Sequence, residues 1–593
     1  MINISDKKTN FLVIFLLALM FFLAVFSVKD DSATMDELAR IPAGYSYLTQ
    51  RDFRLHFEDP PLVKDISAIP LLFLNLKFPK EHSSWTKDVN GEWVFGSEFL
   101  YRSNNNADQI LFWARLPMIF ILLFLGWFIF KWTRELAGNL PALLVLFLFS
   151  FSPDFLAHGR LVTTDVPAAL GIVLSIYFYL KFLETPNRKN IILSGLILGT
   201  TLLIKFSTTL LFPFFAILTL FFVWLSSKIL KSYIKGIILI ILISTFVIFI
   251  VYQFHILNFP LEKQLEAMKA YLSFDGVDSI EEIAFKMAEI PILRPLSHYL
   301  FGFLVTIQRE MKYGHYSPVG GTFLFGMLGF HFWYYFPFVF LIKIPLAFLL
   351  LTLFSFLSFF YFLEFTSLKS WIKNHFIQFS MLLFIIIYSL LALRGKVNIG
   401  LRHFYPVYPF LFILVSICIK NWYDKIKELK HKKLFIVLVS FLLIWYGTSS
   451  LSSFPHYLSY FNELVGGSKR GYEYVVDSNV DWGQDLKRLS QWVESQGIDK
   501  IYVDYFGGGD LNYYFGDKAI PWYGACWWRQ WGWNLNKQDF PKGNYLAVSA
   551  TYLQDGRGKP VIGFDGYWGC YDWLNDYKSV DQVGDSIIVY YID

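Results

Sequence analysis

Apolar residues along this chain gather into long runs separated by short polar loops. The runs fall at roughly 11–28, 111–130, 140–156, 166–183, 190–204, 206–225, 236–254, 333–361, 376–393, 403–419 and 434–451. Most are long enough to cross a hydrocarbon core of about 30 Å. They predict an α-helical polytopic membrane protein of about eleven transmembrane helices. The first run follows Lys7 and Lys8, as in a signal peptide, but it ends in Ser27-Val28-Lys29-Asp30 without a small-residue cleavage site, so it reads as a retained span.

The polar residues between the runs predict orientation. Lys131 and Arg134, Arg188 and Lys189, Lys228, Lys231 and Lys235, Lys369 and Lys373, and the run from Lys420 to Lys433 all fall on the side of Lys7 and Lys8. A Lys and Arg excess marks the cytoplasmic side, so the N-terminus is predicted inside and, after an odd number of spans, the C-terminus outside. Two parts follow: a transmembrane domain, 1–451, and an extracytoplasmic domain, 452–593. Within the first, the large outer segments are 29–110 and 255–332.

Helical spacing of Met35, Leu38, Ala39, Tyr45 and Leu48, and a mostly apolar stretch Leu62–Leu76 after Pro60-Pro61, predict two amphipathic juxtamembrane helices in the first outer loop. In the tail, Asp485–Gln496 reads as a helix. Ile501–Phe506, Tyr545–Ala550 and Ser586–Ile592 read as strands, giving a small α/β domain. No repeat of 20–50 residues is visible.

Composition agrees. Of 593 residues 55% are hydrophobic and only 17% charged, with mean hydropathy +0.43. The net charge of +5 does not point to nucleic acid, because its cations sit in short loops between spans. Cys418 lies in a span, whereas Cys526 and Cys570 both lie in the outer domain, where a disulfide could form.

The candidate chemistry gathers at the outer boundary. Asp36-Glu37 follows the first span, and Glu58 precedes Pro60-Pro61 with Lys64 close by. Asp165 stands at the mouth of a span in His158-Gly-Arg160-Leu-Val-Thr163-Thr164-Asp165-Val-Pro167. Ionisable residues at such a boundary point to function, although first-turn acids and N-caps account for the same positions structurally. Lys205, Arg394, Lys396, Arg402 and His403 break the positive-inside pattern. Snorkelling explains any one of them, but four in one loop suit an anion such as phosphate. Sugar transfer from a polyprenyl phosphate needs this inventory: one carboxylate to take the acceptor's proton, and cations to hold the departing phosphate.

A divalent metal ion would be another source of positive charge, with Glu58, Asp165 and His315 as ligand candidates, although no local spacing among His255, His298, His315 and His331 supports a ligand set. Asp477-Ser-Asn479-Val-Asp481-Trp-Gly483-Gln-Asp485 has its glycine one place late for a calcium loop and Arg488 at the twelfth position, so it reads as a turn capping the next helix. Trp527, Trp528, Trp531 and Trp533 could stack on sugars, form a core, or rest on the membrane.

These residues resemble the GT-C membrane glycosyltransferases of glycosyltransferase family 39, the protein O-mannosyltransferase and aminoarabinose-transferase type. The resemblance is carried by Asp36-Glu37, Glu58-Asp59-Pro60-Pro61-Leu62 with Lys64, and His158-Gly159 through Thr163-Thr164-Asp165 to Pro167. Gly199 with Lys205-Phe206-Ser207 and Arg402-His403-Phe-Tyr-Pro406 extend it. It covers roughly the first 210 residues and the region near 400. Trp333–Pro337, His456–Glu463 and 477–486 look like a bacterial branch of phospholipid-carrier-dependent glycosyltransferases.

The resemblance implies an inverting transfer from a polyprenyl-phosphate sugar to a hydroxyl acceptor (protein, lipid or glycan) at the outer face of a bacterial inner membrane. Asp36 would be the base, with Glu37, Glu58 and Asp165 in the catalytic group. Arg402, His403, Lys205 and Lys396 are the candidates for the donor phosphate. This chain has Asp59 where relatives usually carry His. A transporter or flippase of lipid-linked sugar, or a non-catalytic glycan-binding envelope protein, are the alternative readings. The first would want repeats and mid-membrane polar residues; the second leaves the first-loop acids unexplained.

Overall fold

The computed structural model describes residues 5–226, 228–272, 278–310, 322–363, 368–426 and 428–593. All eleven predicted runs are helical over most of their described length, but they are not eleven equal spans. Among the described residues seven helices are long and apolar enough to cross a membrane: Asp6–Val28, Ala107–Ala137, Asp165–Glu184, Phe206–Ser226, Lys231–His255, Leu401–Lys425 and Leu429–Leu451. Two more runs are sharply bent pairs, Tyr335–Lys343 with Leu346–Phe360 and Leu368–Asn374 with Phe376–Ala392, which raises the count to nine.

The remaining two runs are shorter helices, Asn139–Ser150 and Arg188–Leu202. The first stops ahead of Ser152-Pro153, because proline disfavours helical geometry in the residue before it. The second stops before Lys205, whose backbone is extended. The protein is thus a multi-pass, mostly helical membrane protein with small C-terminal sheets.

The two helices of the first large loop are present, at Met35–Gln50 and Leu62–Ala68, the latter continued by a 3-10 turn Ile69–Phe73. They differ from a surface-lying pair in one respect. Glu37 and Ala39–Tyr47 are buried almost without a break, so the Met35–Gln50 helix is covered on nearly all sides. Gly44 makes the close packing possible: a Cβ there would lie 2.1 Å from the carbonyl oxygen of Lys64.

The C-terminal domain carries a five-stranded sheet in the order Ala519–Pro521, Ile501–Asp504, Asn544–Ser549, Ile587–Ile592, Ser579–Val583. The first three strands are parallel and the last two join antiparallel. The predicted helix forms at Leu486–Ser495 and buries Leu486, Leu489 and Val493. Asp485 precedes it, but its carboxylate does not cap the helix: it accepts from Ser586 Oγ at 2.6 Å and pairs with Arg488. Cys526 and Cys570 form a disulfide.

The domain is sewn to the membrane part. Ser32 N donates to Gln484 O at 2.9 Å, Met35 N to Trp482 O at 2.9 Å, and Gly508 N to Ala33 O at 3.2 Å. Asp31 pairs with Arg160 at 3.1 Å and with Arg488 at 2.6 Å. A hairpin from the second large segment, Thr322–Leu324 and Met327–Gly329, takes Lys559–Pro560 as a third strand. These contacts put the loop after the first span and the C-terminal domain at one end of the bundle. At the other end Arg134 pairs with Asp6 at 2.7 Å.

Candidate active site

Beneath the C-terminal domain the first loop, the broken span at 205 and the turn at 401 meet around a cavity of about 620 Å³. Part of its lining is apolar, with Phe206, Leu210, Phe303, Ile307, Phe336 and Leu391, and part is charged. Four acids, Asp36, Glu58, Asp59 and Glu310, face four cations, Arg40, Lys205, Arg309 and Arg402, with His56 and His403 among them.

Asp36 sits in the first turn of its helix and carries two cations. Arg40, one turn on, donates Nη1 to its Oδ2 at 2.6 Å, and Arg402 donates Nη1 to the same oxygen at 2.9 Å. Arg40 also grips Asp59 through Nε and Nη2, at 3.2 and 2.7 Å. Partial burial pushes the Asp36 carboxyl up, but Arg40 and Arg402 outweigh it and hold the group well below the usual carboxylate range. Burial likewise works against the Asp59 carboxylate, but Arg40, His56, Lys64 and Lys205 together outweigh it and leave it at about 2.

Asp165, at the start of its span, accepts from Lys205 Nζ at 2.7 Å and lies 3.6 Å from Arg402 Nη1. Lys205 reaches its position because the chain between Leu202 and Phe206 leaves helical geometry, and its Nζ also lies 3.4 Å from His403 Nδ1. On the far side Glu58 accepts from Arg309 at 2.8 Å. Under this layer Lys64 is fully buried and donates to the carbonyls of His56 and Asp59 at 2.6 and 2.8 Å, which fixes the Glu58-Asp59 turn. Burial, only partly offset by Asp59, lowers the Lys64 ammonium to about 7.

The structure therefore brings Asp36, Glu58, Lys205, Arg402 and His403 to one cavity, with Asp165 just behind Lys205 and Arg402. Glu37 points elsewhere. Its side chain is fully buried, closes a capping box with Thr34, takes two hydrogen bonds from Arg115 at 2.9 and 2.7 Å, and accepts from Val162 N at 3.0 Å. Lys396 is exposed at the rim between two lining residues, Gly395 and Val397.

Among the histidines, His255 is tied to Asp65 at 2.9 Å and His331 to Asn398 at 3.0 Å, while His298 packs against Phe53. His315 lies outside the described residues. Among the described residues no group of three or more His, Cys, Asp or Glu side chains is placed to hold a metal ion. Glu58 and Asp165 each already face a cation at 2.7–2.8 Å, so a divalent metal there would meet Arg309, Lys205 and Arg402 at close range. This donor set does not fit a metal ion.

Sequence reasoning did not single out Arg40, Arg309, Tyr388 or Trp482. Arg40 carried a signal, since it stands four residues after Asp36 on a predicted helix, the spacing of an ion pair. The others come from distant segments with no periodic cue. Trp482 reaches the site from the C-terminal domain, its ring centroid 4.0 Å from the Arg402 guanidinium.

Residues 107–252, well under half the chain, match the sequence model of the dolichyl-phosphate-mannose-protein mannosyltransferases. No curated protein sequence matches. Among solved structures the chain is similar to apo ArnT from Cupriavidus metallidurans, at 12% identity and TM-score 0.32 over 99% of this chain and 98% of that one. It is also similar to the S. cerevisiae protein O-mannosyltransferase Pmt1-Pmt2 complex bound to the sugar donor, at 11% identity and TM-score 0.49 over 87% and 94%. A third is the Archaeoglobus fulgidus oligosaccharyltransferase complex with zinc and sulfate, at 11%, TM-score 0.41, over 97% and 73%. The architecture defines the class, a multi-pass, mostly helical membrane protein. Within that class, residues 107–252 are similar to the protein mannosyltransferase family.

Proposed function

We propose that this protein moves a sugar, with inversion, from a polyprenyl-phosphate carrier to a hydroxyl acceptor. One observation carries the reading: Asp36 and two cations, Arg402 and Lys205, line a cavity that apolar side chains also line. A lipid phosphate is amphipathic in the same way, and the family matched over 107–252 is named for a polyprenyl-phosphate sugar.

In this reading the phosphate meets Arg402 and Lys205, with His403 beside them and Lys396 at the approach, and the lipid lies along Phe206, Leu210, Phe303 and Phe336. The acceptor oxygen bonds to the anomeric carbon as that carbon's bond to the phosphate oxygen breaks. The electron pair leaves on the phosphate, and the acceptor's proton passes to Asp36. No general acid is needed, because the leaving group is already anionic and is received by cations. Asp165 positions Lys205 and Arg402. Glu58, held by Arg309, borders the acceptor side. Glu37 supports the base indirectly by fixing the helix turn that carries Asp36.

The site end of the bundle faces out of a bacterial plasma membrane, as the distribution of Lys and Arg favours. The test is to incubate the purified protein with polyprenyl-phosphate sugars and envelope extract from a strain lacking it, and to follow release of free polyprenyl phosphate. Release that depends on both protein and extract is the expected result. No release from any donor would overturn the reading.

A further inference from the structure

We infer that the donor phosphate and Asp36 compete for the same guanidinium, that of Arg402, so that donor binding is what releases the base. The inference rests on the proposed function and concerns how that site is switched on.

Every cation lining the cavity has a carboxylate partner. Arg40 is held by Asp36 and Asp59, Lys205 by Asp165, Arg309 by Glu58, and Arg402 by Asp36 with Asp165 at longer range. The four lining acids balance the four lining cations. Among the described residues, an incoming phosphate therefore finds no uncommitted cation lining the cavity and must take one from a carboxylate.

Arg402 is the partner most readily taken. It gives Asp36 one hydrogen bond, from Nη1 at 2.9 Å, whereas Arg40 grips Asp59 through two nitrogens and Asp36 through a third. The Arg402 Nε is buried and has no hydrogen-bond partner among the described residues. A fork with an unused donor suits the several oxygens of a phosphate better than the single carboxylate oxygen it now holds. The face of Trp482 gives the guanidinium a surface to stay on while it changes partner.

Once Arg402 turns to phosphate, Asp36 keeps Arg40 but loses one of its two counter-charges and gains an anion nearby. Both changes make it a better proton acceptor. While Asp36 holds both Arg40 and Arg402, a stray hydroxyl or water meets a weak acceptor. Activation then follows the donor.

The competition is read by binding alone, without turnover. Undecaprenyl phosphate is titrated into the full-length protein in nanodiscs. Asp36→Asn, which removes the competitor, should bind it more tightly than wild type, by about three- to tenfold on the scale of coupled neighbouring charges. Arg402→Gln should bind it more weakly, and the double variant should be no tighter than Arg402→Gln alone. Equal or weaker binding by folded Asp36→Asn would overturn the inference. So would a gain that persists in the Arg402→Gln background, because it would reflect bulk charge rather than competition. Asp36→Ser serves the same comparison if Asp36→Asn does not fold. Wild-type protein that is folded yet binds no undecaprenyl phosphate would overturn the proposed function itself.

Discussion

Arg402 from the membrane domain lies against Trp482 from the C-terminal domain, with 4.0 Å between guanidinium carbon and ring centroid. Both side chains are buried. This contact places one element of the C-terminal domain behind a cation that lines the cavity, and Met35 N, next to Asp36, donates to the backbone oxygen of the same tryptophan. The domain therefore fixes both the cation and the turn that carries the carboxylate. Trp482→Leu should raise the Michaelis constant for the lipid donor by roughly three- to thirtyfold, the range of a desolvated cation–π contact of about 0.5–2 kcal/mol. Trp482→Phe should recover part of the loss. Donor titration of the three proteins checks the order, and equal Michaelis constants would refute it.

Adjacent acids should separate by assay. Asp36→Asn should lower transfer by about 10² to 10⁴, the scale of general-base catalysis, and leave the protein folded. Near-normal turnover by purified Asp36→Asn would remove it as the base.

Glu37→Gln should act through stability. Its carboxylate is fully buried against Arg115, and breaking such a pair costs about 3–5 kcal/mol, because it leaves a buried charge uncompensated. Thermal unfolding in detergent should show Glu37→Gln well below both wild type and Asp36→Asn. An unchanged unfolding temperature would count against this structural role.

Much of the helical architecture is legible because bilayer crossing demands long apolar runs, and these are local in sequence. The runs near 140–156 and 190–204 looked like full spans because hydropathy alone does not register Ser152-Pro153 or the extended backbone at Lys205, where the helices stop. The C-terminal strands rich in Val, Ile and Tyr were readable. The edge strands were not: Ala519–Pro521 is three residues ending in proline, and Ser579–Val583 is an exposed polar segment. Asp36, Asp165, Lys205 and Arg402 are visible one by one as boundary charges. Their pairing with one another is not, since the four lie on separate segments brought together only by tertiary packing. Asp36 and Glu37 look alike in sequence, yet helical geometry turns one toward the cavity and the other into the cap.

The C-terminal domain should weaken as pH rises toward neutrality. Asp481 is fully buried, and burial pushes its carboxyl up to about 7 despite a hydrogen bond from Thr551 N at 3.0 Å. A carboxyl with a raised folded-state value favours folding at low pH. That contribution is complete below the ordinary carboxylate value near 4 and is lost as pH climbs through about 7. Asp481→Asn, neutral throughout, should flatten this slope and gain relative stability at pH 8. Denaturation midpoints at pH 5 and pH 8 for both proteins check it, and parallel shifts would show that another group is responsible.

The final prediction is topological. Lys7, Lys8, Lys131, Arg134, Arg188 and Lys189 belong to the end of the bundle where Arg134 meets Asp6, and the cavity and C-terminal domain occupy the opposite end. Positive residues in short loops are retained on the cytoplasmic side, so the cavity should open outward. Asp499 is exposed in the turn after the Leu486–Ser495 helix. Asp499→Cys in a Cys418→Ser background should react with a membrane-impermeant maleimide once the periplasm or outer surface is accessible. A cysteine at exposed Lys189 should react only after the inner membrane is opened. The reverse pattern would turn the protein over, and with it the side on which the sugar is delivered.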